Sequence, residues 1–197
     1  MREAFGALAA LRVIDVANGR RARIAAIDGS VLANSLGHAV STDQIGIGDI
    51  WEVRRTIEAR TAALAASCRT DAEAARIVEL AQLMERDVAD RPRMTSHDLA
   101  FHEAIASAGH NPLFLQIVRS FLPLMRIAVP AAWDTRVAQR DQTIIIERHH
   151  AIARAILLGD SVAAEAAMNA HFDVSIGDVL KGLTPLNSIP AGAGNGL

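Results

Sequence analysis

The sequence predicts an all-α protein, an antiparallel bundle of about six to seven helices preceded by a short helix and a β-hairpin. Three observations predict it. Of the 197 residues, 51% are hydrophobic but only 4% aromatic, with no Tyr and few alternating β-branched runs. From residue 49 to about 180, apolar residues recur at spacings of three and four. The breaks between those stripes carry helix-capping residues.

In chain order, residues 2–12 space Phe5, Leu8 and Leu11 for one side of a short helix. Arg12–Val16 and Arg21–Ala25 then flank Asn18-Gly19, a hairpin signal because both residues tolerate positive φ. The hairpin tip is basic, with Arg20, Arg21 and Arg23. Residues 28–48 are rich in Gly, Ser and Asp and are expected as a linker, with at most a short helix near Val31 to Val40. Asp49 is expected to cap the first bundle helix, with Glu52 three residues on, and its stripe is Ile50, Arg54, Ile57, Thr61 and Leu64. Thr70-Asp-Ala-Glu73 is a capping box for a second helix bearing Ile77, Leu80 and Met84. Pro92 separates it from a third, with Leu99, Phe101 and Ile105, that ends at Gly109. Asn111-Pro112 opens a fourth, running toward Pro130. A fifth covers about 136–158, and a sixth, capped by Asp160 or Ser161, ends near Leu180. The organisation expected is 1–27, linker 28–48, bundle 49–182 and a disordered tail 183–197.

A net charge of −2 creates no global field for nucleic acid or membrane. Cys68 is the only cysteine, which excludes an intramolecular disulfide framework and fits a reducing compartment. No uninterrupted apolar run reaches the roughly 18 residues of a bilayer span, and no signal peptide is recognisable. The expectation is a soluble cytoplasmic protein with no membrane partner.

Asp98 and His102 lie four apart, one turn up the same helix face. On the fifth helix Ile145, His149, Ile152 and Ile156 share a stripe, while the adjacent His150 falls about 100° away beside Ile146 and Leu157. Both faces carry aliphatic residues, and the spacing favours His149. On the sixth, His171 follows Ala164 and Met168. One carboxylate and three imidazoles facing one interior suit a divalent metal such as Zn²⁺, Ni²⁺ or Mn²⁺. Any one of these histidines alone is more often a hydrogen-bonded core residue. Arg54 interrupts an apolar stripe and needs an anionic partner. An i,i+4 pair with Glu58 supplies one. The sharper alternative is a guanidinium that grips a carboxylate ligand.

The stretch from Asp49 to Leu180 resembles the FCD ligand-binding domain of FadR-like regulators in the GntR family of bacterial transcription regulators. The resemblance is carried by Ile50-Trp-Glu-Val-Arg-Arg-Thr-Ile-Glu58, Ala62-Ala-Leu-Ala-Ala66, Asp98-Leu-Ala-Phe-His102, Ala106-Ser-Ala-Gly-His-Asn111, His149-His-Ala-Ile152 and Ala166-Ala-Met-Asn-Ala-His171. It implies a bundle in which Asp98, His102, His149 and His171 hold a divalent metal. It also implies a small carboxylate or sugar-acid effector met by Arg54 and Asn111, a homodimer, and no enzymatic activity. Residues 2–25 resemble the end of a recognition helix and the wing of a winged helix-turn-helix, with Arg20, Arg21 and Arg23 as weak DNA contacts. Such a domain needs more residues than precede the linker, so operator DNA is an expected partner only if an upstream extension completes it. The rival readings are a metal-dependent hydrolase, with Glu103 or Glu147 as the nearest bases in sequence, and a purely structural or dimerising bundle.

Overall fold

Capping chemistry sets the helix boundaries in the computed structural model, which describes residues 2–16, 21–26, 28–135 and 139–183. The side chains of residues 2, 139–141 and 179–183 also lie outside the description. Among the described residues the order is α1 (Arg2–Ala10), β1 (Ile14–Asp15), β2 (Arg23–Ile24), α2 (Ser30–Ser41), α3 (Ile47–Cys68), α4 (Asp71–Arg86), α5 (Arg91–Ala108), α6 (Pro112–Thr135), α7 (Gln139–Leu158) and α8 (Ser161–Leu183). The fold is helical, as the spacing predicts.

At α4 the Thr70 hydroxyl accepts from the Glu73 backbone N–H at 3.3 Å, and the Glu73 carboxylate accepts from the Thr70 N–H at 2.7 Å. Asp90 caps α5 through the Arg93 N–H, with Pro92 in the first turn. α3 departs from expectation. Its cap is Gly46, and Asp49 is the third helical residue, reaching back to accept from the Gly46 N–H at 2.9 Å. A carboxylate suits either position, because both satisfy orphan N–H groups of the first turn. Arg69 finishes α7 from outside, donating to the carbonyls of Ile156 at 3.1 Å and Leu157 at 2.7 Å. Gly159, at φ 74°, makes the left-handed turn into α8.

The stretch expected as a linker, with at most a short helix near Val31 to Val40, holds the 12-residue α2, which packs on α6. A Cβ at Gly29 would stand 2.6 Å from the Gln116 carbonyl oxygen, so only glycine permits that approach. α6 runs past both Pro123 and Pro130 to Thr135. An internal proline costs a helix about 3 kcal/mol. Burying one large aromatic ring returns roughly 4 to 6 kcal/mol, and Trp133, beyond Pro130, is fully buried. α6 is also long and apolar enough, by composition, to cross a membrane. It carries Arg119 and Arg126 and packs against α2, α5 and α8.

In the bundle α8 lies against α3, α6 and α7, while α5 lies against α3, α4 and α6. The core holds Ile77, Leu80, Met84, Phe101, Ile105, Met125, Trp133, Ile152, Ile156 and Phe172. Outside it, β1 and β2 pair antiparallel with Ile14 opposite Ile24. The expected turn at Asn18-Gly19, Arg20 and the tail from Thr184 lie outside the described residues. Phe5, Leu8 and Leu11 are exposed, so the apolar side of α1 is uncovered among the described residues.

Candidate metal centre

α5, α7 and α8 bring three imidazoles to one point inside the bundle. Asp98 and His102 come from adjacent turns of α5, His149 from α7 and His171 from α8, and all four are buried. Ring centroids are 4.6 Å apart for His149–His171, 5.3 Å for His102–His171 and 6.1 Å for His102–His149. One nitrogen from each ring lies within 4.8 Å of the others. Nitrogens on one tetrahedral zinc at about 2.1 Å stand ~3.4 Å apart, so the three rings would draw together to share an ion. Of the adjacent pair on α7, His149 is the one inside. His150 turns outward and meets Glu85 at 2.9 Å.

The hydrogen bonding around His149 speaks to what belongs there. Its Nδ1 lies 2.8 Å from the Ile145 carbonyl oxygen, which can only accept, so Nδ1 carries the proton. Its Nε2 lies 3.1 Å from Asp98 Oδ1, a second acceptor. A neutral imidazole satisfies one acceptor. Satisfying both takes either a buried imidazolium or a cation at Nε2. Burial raises the Asp98 carboxyl, but the His149 hydrogen bond and the His102, His149 and Arg54 charges outweigh it, leaving it lowered to about 2. The ionised form of Asp98 is thus the resident one. These donors fit a divalent cation bound through imidazole and carboxylate.

Glu58 on α3 stands behind His102, its Oε2 against His102 Nδ1. Its other oxygen accepts from Arg54 Nε at 2.7 Å. Both residues are buried. Burial pushes the Glu58 carboxyl up, and the Arg54 and His102 charges more than offset it, holding it below the usual range. A carboxylate that holds one ring nitrogen fixes the tautomer and aims the other at an ion. The expected Arg54–Glu58 pair is present. Arg54 also contacts Met125 Sδ and lies over the Trp51 and Phe172 rings at 4.9 and 5.3 Å.

A cavity adjoins the cluster, lined among others by Trp51, Arg54, Asp98, His102, Trp133 and His171. The space open to the centre of a water molecule is about 20 Å³, enough for a water or two. Asn111 does not line it. It is exposed and caps α6, its Oδ1 accepting from the Leu113 N–H at 3.0 Å, which corrects its expected place in the pocket. Glu103 pairs with Arg119 at 2.7 Å, and Glu147 is exposed, so neither stands beside the centre as a base. Arg21 and Arg23 are exposed on the hairpin. Sequence reasoning treated Glu58 only as a partner for Arg54 and passed over Trp51. The available signal was that both extend the Arg54 stripe by helical spacing.

The chain thus folds as a helical bundle with a buried histidine cluster beside an arginine-lined cavity. The FCD domain family matches residues 49–174, and the chain belongs to that family. It is similar to the HTH-type transcriptional regulator LutR of Bacillus subtilis (strain 168), 28% identical over 92% of this chain and 84% of that protein. It is also similar to the HTH-type transcriptional repressor NanR of Cronobacter sakazakii, 26% identical over 88% of this chain and 67% of that protein. Among solved structures, a Streptococcus agalactiae GntR superposes with a TM-score of 0.66 at 25% identity, covering 87% of this chain and 78% of that one. The protein is therefore a GntR-family transcription regulator with an FCD domain, not an enzyme.

Proposed function

We propose that the bundle senses a small organic acid or sugar acid at a divalent-metal site and passes that signal to operator DNA as a homodimer in the cytoplasm. Asp98, His102, His149 and His171 would hold the ion, Zn²⁺, Ni²⁺ or Mn²⁺, which supplies a positive anchor for an effector oxygen. Glu58 orients His102, and Ile145 orients His149. Arg54 offers a guanidinium whose Nε is committed to Glu58 and whose remaining N–H groups can meet a carboxylate. The effector regulates only by binding one arrangement of the bundle more tightly than another. Arg21 and Arg23, exposed on the hairpin, would meet phosphate.

The observation that carries the reading is His149, fully buried between two oxygen acceptors. Calorimetry on zinc-loaded protein tests the effector half. Titration with a panel of small carboxylates and sugar acids should find a ligand whose binding collapses in Arg54→Ala. A panel that gives no heat, or a ligand bound equally well by the variant, would remove Arg54 from the site.

A further inference from the structure

The indole N–H of Trp51 is a buried donor that the mechanism above leaves unused. Trp51 is 5% exposed and lines the cavity, and its Nε1 is buried with no hydrogen-bond partner among the described residues. Buried donors are rarely left unpaired, because the lost hydration costs about 1 to 3 kcal/mol. Phe172 and Arg54, which flank the ring, offer it no oxygen. Phe172 meets the ring edge-on at 5.4 Å, and the Arg54 guanidinium covers its face. An indole N–H only donates, so it waits for an acceptor.

We propose that Trp51 Nε1–H hydrogen-bonds a bound short-chain carboxylate, taking one oxygen while Arg54 faces the other. This rests on the reading of Arg54 as the carboxylate clamp. Trp51 and Arg54 sit one turn apart on α3 and line the same cavity, so one ligand group can reach both. Together they present only donors and positive charge, which selects an oxyanion. A carboxamide brings N–H groups of its own against these donors and is rejected. The small free volume selects short acids over long-chain ones.

The two tryptophans of the chain, Trp51 and Trp133, both line the cavity. Protein carrying ¹⁵N-indole labels therefore gives two indole signals, and Trp133→Phe assigns them. Zinc-loaded protein is titrated with acetate and with glycolate, and with acetamide as the neutral counterpart. The Trp51 indole proton should move downfield and exchange more slowly with either acid, and stay still with acetamide. Calorimetry should show the acid Kd rising about tenfold in Trp51→Phe, the loss of one hydrogen bond to a charged group, with zinc content unchanged. If the acids bind and Arg54→Ala abolishes binding while the Trp51 signal stays still, the Trp51 assignment is wrong and the clamp stands. If neither acid binds, or Arg54→Ala binds as wild type, the clamp fails and the Trp51 assignment with it.

Discussion

Glu58 joins two parts of the site, receiving Arg54 on one oxygen and His102 on the other. Glu58→Gln keeps the size of the side chain but removes the negative charge behind His102. Zinc affinity should fall by about 10- to 100-fold, read by competition against a chromogenic chelator. An unchanged affinity would make Glu58 a partner of Arg54 alone. Asp98 carries a pH signature in metal-free protein. Its folded pKa is lowered to about 2, below the ordinary aspartate value near 3.9. It therefore contributes stability that is present above the unfolded value and is lost as pH falls toward the folded one. Chelator-treated protein should lose melting temperature between about pH 5 and pH 2, and Asp98→Asn should flatten that slope. Equal slopes would show Asp98 unpaired in the folded chain. The Asp98/His102 and His149 stripes were legible in the sequence, because i,i+4 spacing fixes which face a side chain takes. The reach of Glu58 to His102 was not, because it depends on how α3 packs against α5 and leaves no mark in local spacing.

Helix ends and helix contacts follow from different signals. The Thr70/Glu73 box was legible in full, since capping is local chemistry. Thr70→Ala should destabilise the protein by about 1 kcal/mol, measured by urea unfolding, and no loss would mean that α4 does not need its cap. The Glu73 carboxyl is lowered chiefly by the Thr70 N–H, against an upward push from burial, with His110 adding to the lowering. α2 was only partly legible, because its composition is that of a linker and its helicity depends on docking to α6. Gly29→Ala tests that docking. A methyl group 2.6 Å from the Gln116 carbonyl must push α2 away from α6, which should raise amide exchange throughout residues 30–41. Unchanged protection there would show that the helix adjusts without leaving. The passage of α6 through Pro130 was hidden for a related reason. The burial of Trp133, together with its contact to Arg91 on α5 at 5.3 Å, outweighs what the local sequence dictates.

Across the whole molecule, the helical fold was legible because periodic apolar stripes and caps agree over the entire bundle. The cavity was less so, since its size is set by helices that meet only in three dimensions. Ligands from α5, α7 and α8, braced by α3, mean that an ion would tie four helices together. Removing it should lower the melting temperature, by mass action on the folded state alone. The central claim is that this bundle is built around a divalent cation. The most direct test is metal content per chain, by plasma mass spectrometry, on protein purified without chelators and dialysed against Zn²⁺, Ni²⁺ or Mn²⁺. The account predicts about one metal per chain, lost in His149→Ala and retained in His150→Ala. No metal in wild type after dialysis, or equal retention in both variants, would contradict it and leave the buried histidines as hydrogen-bonded core residues.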